Sequence, residues 1–132
     1  LTLEEAGWHH RGPMFKEALR DVVEHTPGGR ASLLMGFDGI AVESHVREGA
    51  DVDIETVGME LSVVLKGMAH AVDAVKAGAA REVAVQAEKL TLLVRILNED
   101  YFLALALAPD GNYGKARFLL RLATPKILSS LE

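Results

Sequence analysis

The stretch IETVGMELSVVLKGMAHAVDAVKA, residues 54–77, decides how the rest of the chain is read. It holds no proline and only two interior glycines, Gly58 and Gly67. Ile54, Val57, Leu61, Val64, Leu65, Met68, Val72 and Val75 recur at helical spacing and form one apolar face, as a helix lying on a core requires. At about 100° per residue, Thr56, Met59, Val63, Gly67, His70, Ala74 and Ala77 gather within roughly a third of the circle on another side. A helix lying alone on a sheet should be charged on its back. This one is small and apolar there, and its charges, Glu55, Lys66, Asp73, Lys76 and Glu60, sit on the flanks. Two apolar faces imply two partners. Asp53 is placed to cap the helix start through its carboxylate, and Gly78 to end it in a left-handed conformation.

Upstream, the period changes to two. Ala31, Leu33, Met35 and Phe37 share one side of a strand, and Ser32, Leu34 and Gly36 share the other. Asp38-Gly39 is a favoured tight-turn pair, and Ile40, Val42, Ser44 and Val46 form the return strand of a hairpin. Before the hairpin, Phe15, Leu19, Val22 and Val23 predict a first helix that starts at Pro13 and stops at Thr26-Pro27-Gly28-Gly29. Residues 1–12 lack a period and read as a flexible arm or a cloning remnant, leaving 13–132 as one domain. The opening residue is Leu1 rather than methionine, which predicts a trimmed or artificial start.

Downstream, three strands follow in quick succession. Val83, Val85 and Ala87 alternate with Glu82, Ala84, Gln86 and Glu88; Leu90 to Leu97 is nearly all apolar and predicted to be buried on both sides. Tyr101, Leu103, Leu105 and Leu107 share one face of the last strand, while Phe102, Ala104, Ala106 and Ala108 leave room on the other for a helix to lie close. After Pro109-Asp110-Gly111-Asn112, a final helix runs from about Tyr113 to Leu131, with a kink predicted at Pro125. The order α-β-β-α-β-β-β-α with five antiparallel strands is an α/β sandwich of the α+β kind.

The totals exclude several classes. With 132 residues, 49% apolar and 25% charged, the chain suits one globular domain. A net charge of −5 gives no footprint for nucleic acid. The absence of cysteine removes disulfides and thiolate metal sites and favours a reducing cytoplasm. No apolar run approaches the roughly 20 residues of a membrane span.

The element order, with a long middle helix between a hairpin and a three-stranded meander, resembles the Roadblock dynein-light-chain family and its profilin-like fold. The segment Leu33-Leu34-Met35-Gly36-Phe37-Asp38-Gly39-Ile40-Ala41-Val42 is similar to the family's opening hairpin. Tyr113-Gly114-Lys115-Ala116-Arg117 is similar to the start of its last helix, and the likeness extends over about Met14 to Leu131. It implies a homodimer in which middle helices lie side by side and third strands meet edge to edge. The interface would then hold Met59, Val63, Gly67, His70 and Ala74, with Val83 and Val85 at the seam. It also implies a regulator or adaptor of a small Ras-like GTPase, as for bacterial gliding-motility regulators. A passive scaffold subunit for a motor or signalling complex is the second reading. A small-ligand sensor, with the alanine face of the last strand lining a pocket, is the third.

No catalytic, cofactor-binding or metal-ligating set is expected. His9 and His10 are adjacent, and His25, His45 and His70 fall on separate elements, without the spacing of a zinc site. No serine has a nucleophile-elbow setting, and no glycine-rich phosphate loop is present. Arg11, Arg30, Arg47 and Arg117 read as ordinary surface charge rather than as an arginine finger. Adding zinc or a chelator should therefore leave the thermal midpoint unchanged. A shift of several degrees that depends on His25, His45 or His70 would contradict this.

Overall fold

A computed structural model describes the backbone of residues 8–131 and the side chains of residues 13–131. Helix α1 (Trp8–His25) leads into strands β1 (Gly29–Gly36) and β2 (Ala41–Val46), then helix α2 (Ile54–Ala74). Strands β3 (Glu82–Gln86), β4 (Thr91–Ile96) and β5 (Tyr101–Leu107) precede helix α3 (Tyr113–Leu131). The five strands form one antiparallel sheet in the order β2-β1-β5-β4-β3, so β2 and β3 are its edges. This is the element order read from the sequence.

The two faces of the sheet carry separate cores. On one, α1 and α3 bury Phe15, Leu19, Val23, Leu120 and Ile127 against Leu34, Leu93, Leu103, Leu105 and Leu107. On the other, α2 sets Ile54, Leu61 and Leu65 against Leu33, Met35, Val94, Phe102, Ala104 and Ala106. The alternation in β1 and β5 sorts these residues as the period-two reading requires. The alanines of β5 do lie beneath a helix, α2. Close approach there also depends on Gly58, where an added Cβ would stand 2.9 Å from the Met35 thioether and collide with Leu33. The space between α2 and the sheet at this point is filled by side chains.

Four local expectations are corrected. Helix α1 begins at Trp8, so Pro13 lies inside it, and residues 8–12 belong to the helix rather than to an arm. The remainder of that arm, residues 1–7, lies outside the described residues. The hairpin turn takes a positive φ at Gly39 alone. Gly39 N–H donates to Gly36 C=O at 3.0 Å, and Gly36 N–H donates to Ile40 C=O at 3.0 Å. That is a three-residue loop with a glycine bulge, and Asp38 tightens it by accepting from the Ile40 N–H at 3.0 Å. Helix α2 ends not at Gly78 but at Val75, with Lys76 in the left-handed conformation (φ 57). Lys76 N–H donates to Asp73 C=O and Ala77 N–H to Val72 C=O, at 2.9 and 3.2 Å. This pair of bonds is a Schellman closure made without glycine. Strand β4 is buried at Thr91, Leu93 and Val94 but not throughout, with Leu92 and Ile96 half-buried. Helix α3 runs as one element through Pro125, the position where a kink is expected. The Thr124 hydroxyl donates to Leu120 C=O at 2.8 Å in the turn that the proline crowds.

Two tests address the seating of α2. Gly58→Val forces two branches into a filled space and should lower stability by about 1–3 kcal/mol, read as a lower thermal midpoint. At the helix start, Asp53 accepts from the Thr56 hydroxyl at 2.7 Å and from its N–H at 3.2 Å. These bonds, the hydroxyl's first, hold its carboxyl below the ordinary value of 3.8. The cap therefore contributes fully above 3.8 and is lost as pH falls through the depressed folded-state value. Asp53→Ala should lower the midpoint at neutral pH, with the difference from wild type shrinking once pH falls below 3.8.

Candidate interaction surface

Helix α2 divides along its length. At its 21 residues and about 1.5 Å rise per residue, it is longer than the strands beneath it. Its buried residues, Ile54, Gly58, Leu61, Ser62 and Leu65, all lie in the first twelve positions. Beyond Leu65 only Val72 is even half-buried. The stripe read as a second face is exposed throughout: Met59 at 48% and Val63 at 70%, with Gly67, His70 and Ala74 also open. Among the described residues, nothing lies within 4 Å of a Cβ placed on Gly67.

Three residues assigned from sequence to the core face belong to this surface instead. Val64, Met68 and Val75 are 56%, 40% and 74% exposed. Periodicity placed them on the same broad arc as Val57 and Leu61, but the sheet does not reach far enough to cover them. The exposed apolar surface of α2 is thus wider than the sequence implied. Single exposed apolar residues are ordinary, whereas a contiguous run along one helix marks a contact site.

The sheet continues this surface. Helix α2 packs over β1 and β2. On the same face toward β3, Val83, Leu92 and Ile96 are half-buried and Val85 is 45% exposed. The sequence-derived seam residues Val83 and Val85 therefore share a face with the α2 stripe, at the β3 edge.

The two sheet edges differ. Ile96 N–H donates to Arg81 C=O and Ala87 N–H to Leu90 C=O, which directs the polar groups of Glu82, Ala84 and Gln86 outward from β3. This edge has no proline and no bulge. Along β2 the outward groups of Ser44 are occupied. Ser44 N–H donates to the Glu43 carboxylate at 3.1 Å, and the Lys16 ammonium donates to Ser44 C=O at 3.1 Å. Lys16 and Glu43 also pair at 3.6 Å. A lysine laid along an edge strand blocks strand addition. Among the described residues, β3 is thus the edge without such a cover.

The polar residues singled out in the sequence are scattered. His25 Nδ1 lies 3.0 Å from Asp21 C=O, His45 Nε2 lies 3.3 Å from Glu24, and His70 is alone on α2. Among the described residues no three histidine, aspartate or glutamate side chains converge. Ser32, Ser62 and Ser129 donate their hydroxyls to backbone carbonyls. Arg47 donates to Gly29 and Val23 C=O at 2.6 and 2.7 Å, tying β2 to the end of α1, a structural role the sequence did not reveal. Arg30 donates to Lys89 C=O at 3.3 Å. Arg117 is held by Glu82, whose carboxylate keeps its guanidinium pKa raised. Side chains of His9, His10 and Arg11 lie outside the described residues. A hollow of about 220 Å³ opens at the β1–β2 and β4–β5 turns, lined by Phe37, Asp38, Glu99 and Tyr101, away from the alanine face of β5. No described helix is long and apolar enough to cross a membrane.

No family model and no curated protein matches the sequence. Among solved structures the chain is similar to MglC from Myxococcus xanthus, at 38% identity over 86% of this chain and 95% of that one, with a TM-score of 0.62. It is also similar to a Roadblock/LC7 domain from Streptomyces avermitilis, at 17% identity over 88% and 96% of the two chains, with a TM-score of 0.78. The gliding protein MglB from Thermus thermophilus matches at 20% identity over 92% and 88%, with a TM-score of 0.73. The last two likenesses establish the fold; the first establishes kinship.

Proposed function

The chain belongs to the Roadblock/LC7 family, and we propose that it is a homodimeric adaptor that binds a small Ras-like GTPase and regulates it without doing chemistry itself. The observation that supports a homodimer is the exposed apolar length of α2, from Met59 to Val75, on the same sheet face as Val85 at the open β3 edge. In a two-fold pair the same patch meets itself. The α2 helices would lie side by side, with Met59, Val63, Gly67, His70 and Ala74 between them and Gly67 letting the backbones approach. The outward groups of Glu82, Ala84 and Gln86 would complete a ladder with the other copy, making one continuous sheet.

The GTPase rests on family likeness. A paired α2 platform is wide enough for one GTPase to sit across both copies, and docking over a two-fold axis excludes a second equivalent molecule. The GTP-loaded form is the one whose switch segments are ordered into a fixed surface. Because Arg47 and Arg117 are engaged within the chain, regulation would act by arranging the GTPase rather than by inserting an arginine. On this reading the protein works in the cytoplasm.

Gly67→Glu tests both halves. The site is open in the single chain, so the variant should fold with an unchanged circular dichroism spectrum and become monomeric by light scattering. Wild type should be a dimer at high micromolar concentration and bind the GTP-loaded cognate GTPase two-to-one, and the variant should lose that binding. A monomeric wild type overturns the dimer. A variant that binds as tightly, or equal binding of GDP and GTP forms, replaces the regulator with a passive scaffold.

A further inference from the structure

Helix α3 has an outer face that neither the core nor the α2 surface uses. Its inner side is satisfied, with Ala116, Leu120, Ala123 and Ile127 buried against α1 and the sheet. Yet Phe118 and Leu122, one turn apart, stand 59% and 51% exposed on the outside. They contribute little to folding where they are. At about 100° per residue, Lys115, Phe118, Leu122 and Lys126 fall within roughly 80° of one another. The helix carries four basic residues and no acidic one between 113 and 131, in a chain of net charge −5. Arg117 is committed to Glu82 at 2.9 Å and to the ring of Tyr113. Lys115, Arg121 and Lys126 are exposed on the same helix. The result is an apolar pair framed by cations, on the side of the sheet opposite α2.

We infer that this face of α3 is a docking site for an acidic amphipathic helix of a partner protein. An i, i+4 apolar ridge fits the i, i+4 groove of a second helix, and lysines at its two ends fit carboxylates on the partner's flanks. An anionic membrane is the poorer fit. The broad apolar side of α3 is already spent in the core, two side chains make a shallow insertion, and the acidic remainder of the chain is repelled by the same lipids.

The test uses the full chain and a labelled synthetic helical peptide bearing leucines at i and i+4 flanked by glutamates. Its control has lysines in place of the glutamates, and vesicles of phosphatidylglycerol form a third arm. Fluorescence anisotropy should show saturable binding of the glutamate peptide, falling with salt, and none of the lysine peptide. Phe118→Ser, and separately Lys115→Glu with Lys126→Glu, should weaken it by about tenfold or more. Gly67→Glu should leave it unchanged, which separates this surface from the dimer face whatever that variant does to assembly. Circular dichroism confirms folding of Phe118→Ser. Absence of saturable binding, or binding indifferent to the α3 changes, overturns the inference. So does preferential sedimentation with vesicles, which would make the face a membrane contact. A change in particle mass on Phe118→Ser would make it a contact between copies and equally overturn it.

Discussion

Packing of the first half of α2 onto β1 sets most of what this molecule presents to others. Gly58 brings the helix backbone down onto Leu33 and Met35, and Ile54, Leu61 and Leu65 hold it there. With the start fixed by Asp53 and the contact fixed by Gly58, the remaining turns must project past the cover of the sheet. Apart from half-buried Val72, apolar residues in those turns are left exposed by the described residues. One close contact thus generates both the core of this face and the surface next to it.

The edges of the sheet show the same division of labour. At β2, Lys16 from α1 and the adjacent Glu43 occupy the outward groups of Ser44. At β3 the outward groups carry no such cover, and Glu82 turns its carboxylate toward Arg95 and Arg117 instead. The Arg95–Glu82 ion pair is long, at 4.0 Å, and Arg95 Nε is buried without a partner among the described residues. In the proposed dimer, covering one edge and leaving the other open would give assembly a direction. Exposed charge pairs such as Lys16–Glu43 add little stability, so occlusion of the strand is the larger consequence.

Much of the fold was legible because its signals are periodic. The leucine and alanine alternation of β5 assigned its two faces correctly, and the small apolar stripe of α2 was visible as a second exposed face. The misses share a cause. Periodicity assigns a direction to a side chain but does not say whether anything stands opposite it, so Val64, Met68 and Val75 were read as core. The left-handed closure at Lys76 had no glycine to announce it, and Gly78 drew the assignment two residues downstream. Arg47 acts through backbone carbonyls that lie near it only after folding. The blocked edge of β2 depends on Lys16, 28 positions away from the Ser44 carbonyl it caps. No local pattern carries such a pair.

In the proposed dimer, β3 and α2 of one copy are completed by another. Hydrogen exchange at the outward amides of Glu82, Ala84 and Gln86, followed as protein concentration is raised, tests it most directly. These three amides should become protected together as dimer forms, while the amides already paired to β4 change little. Rapid exchange at all three positions at every concentration would contradict it.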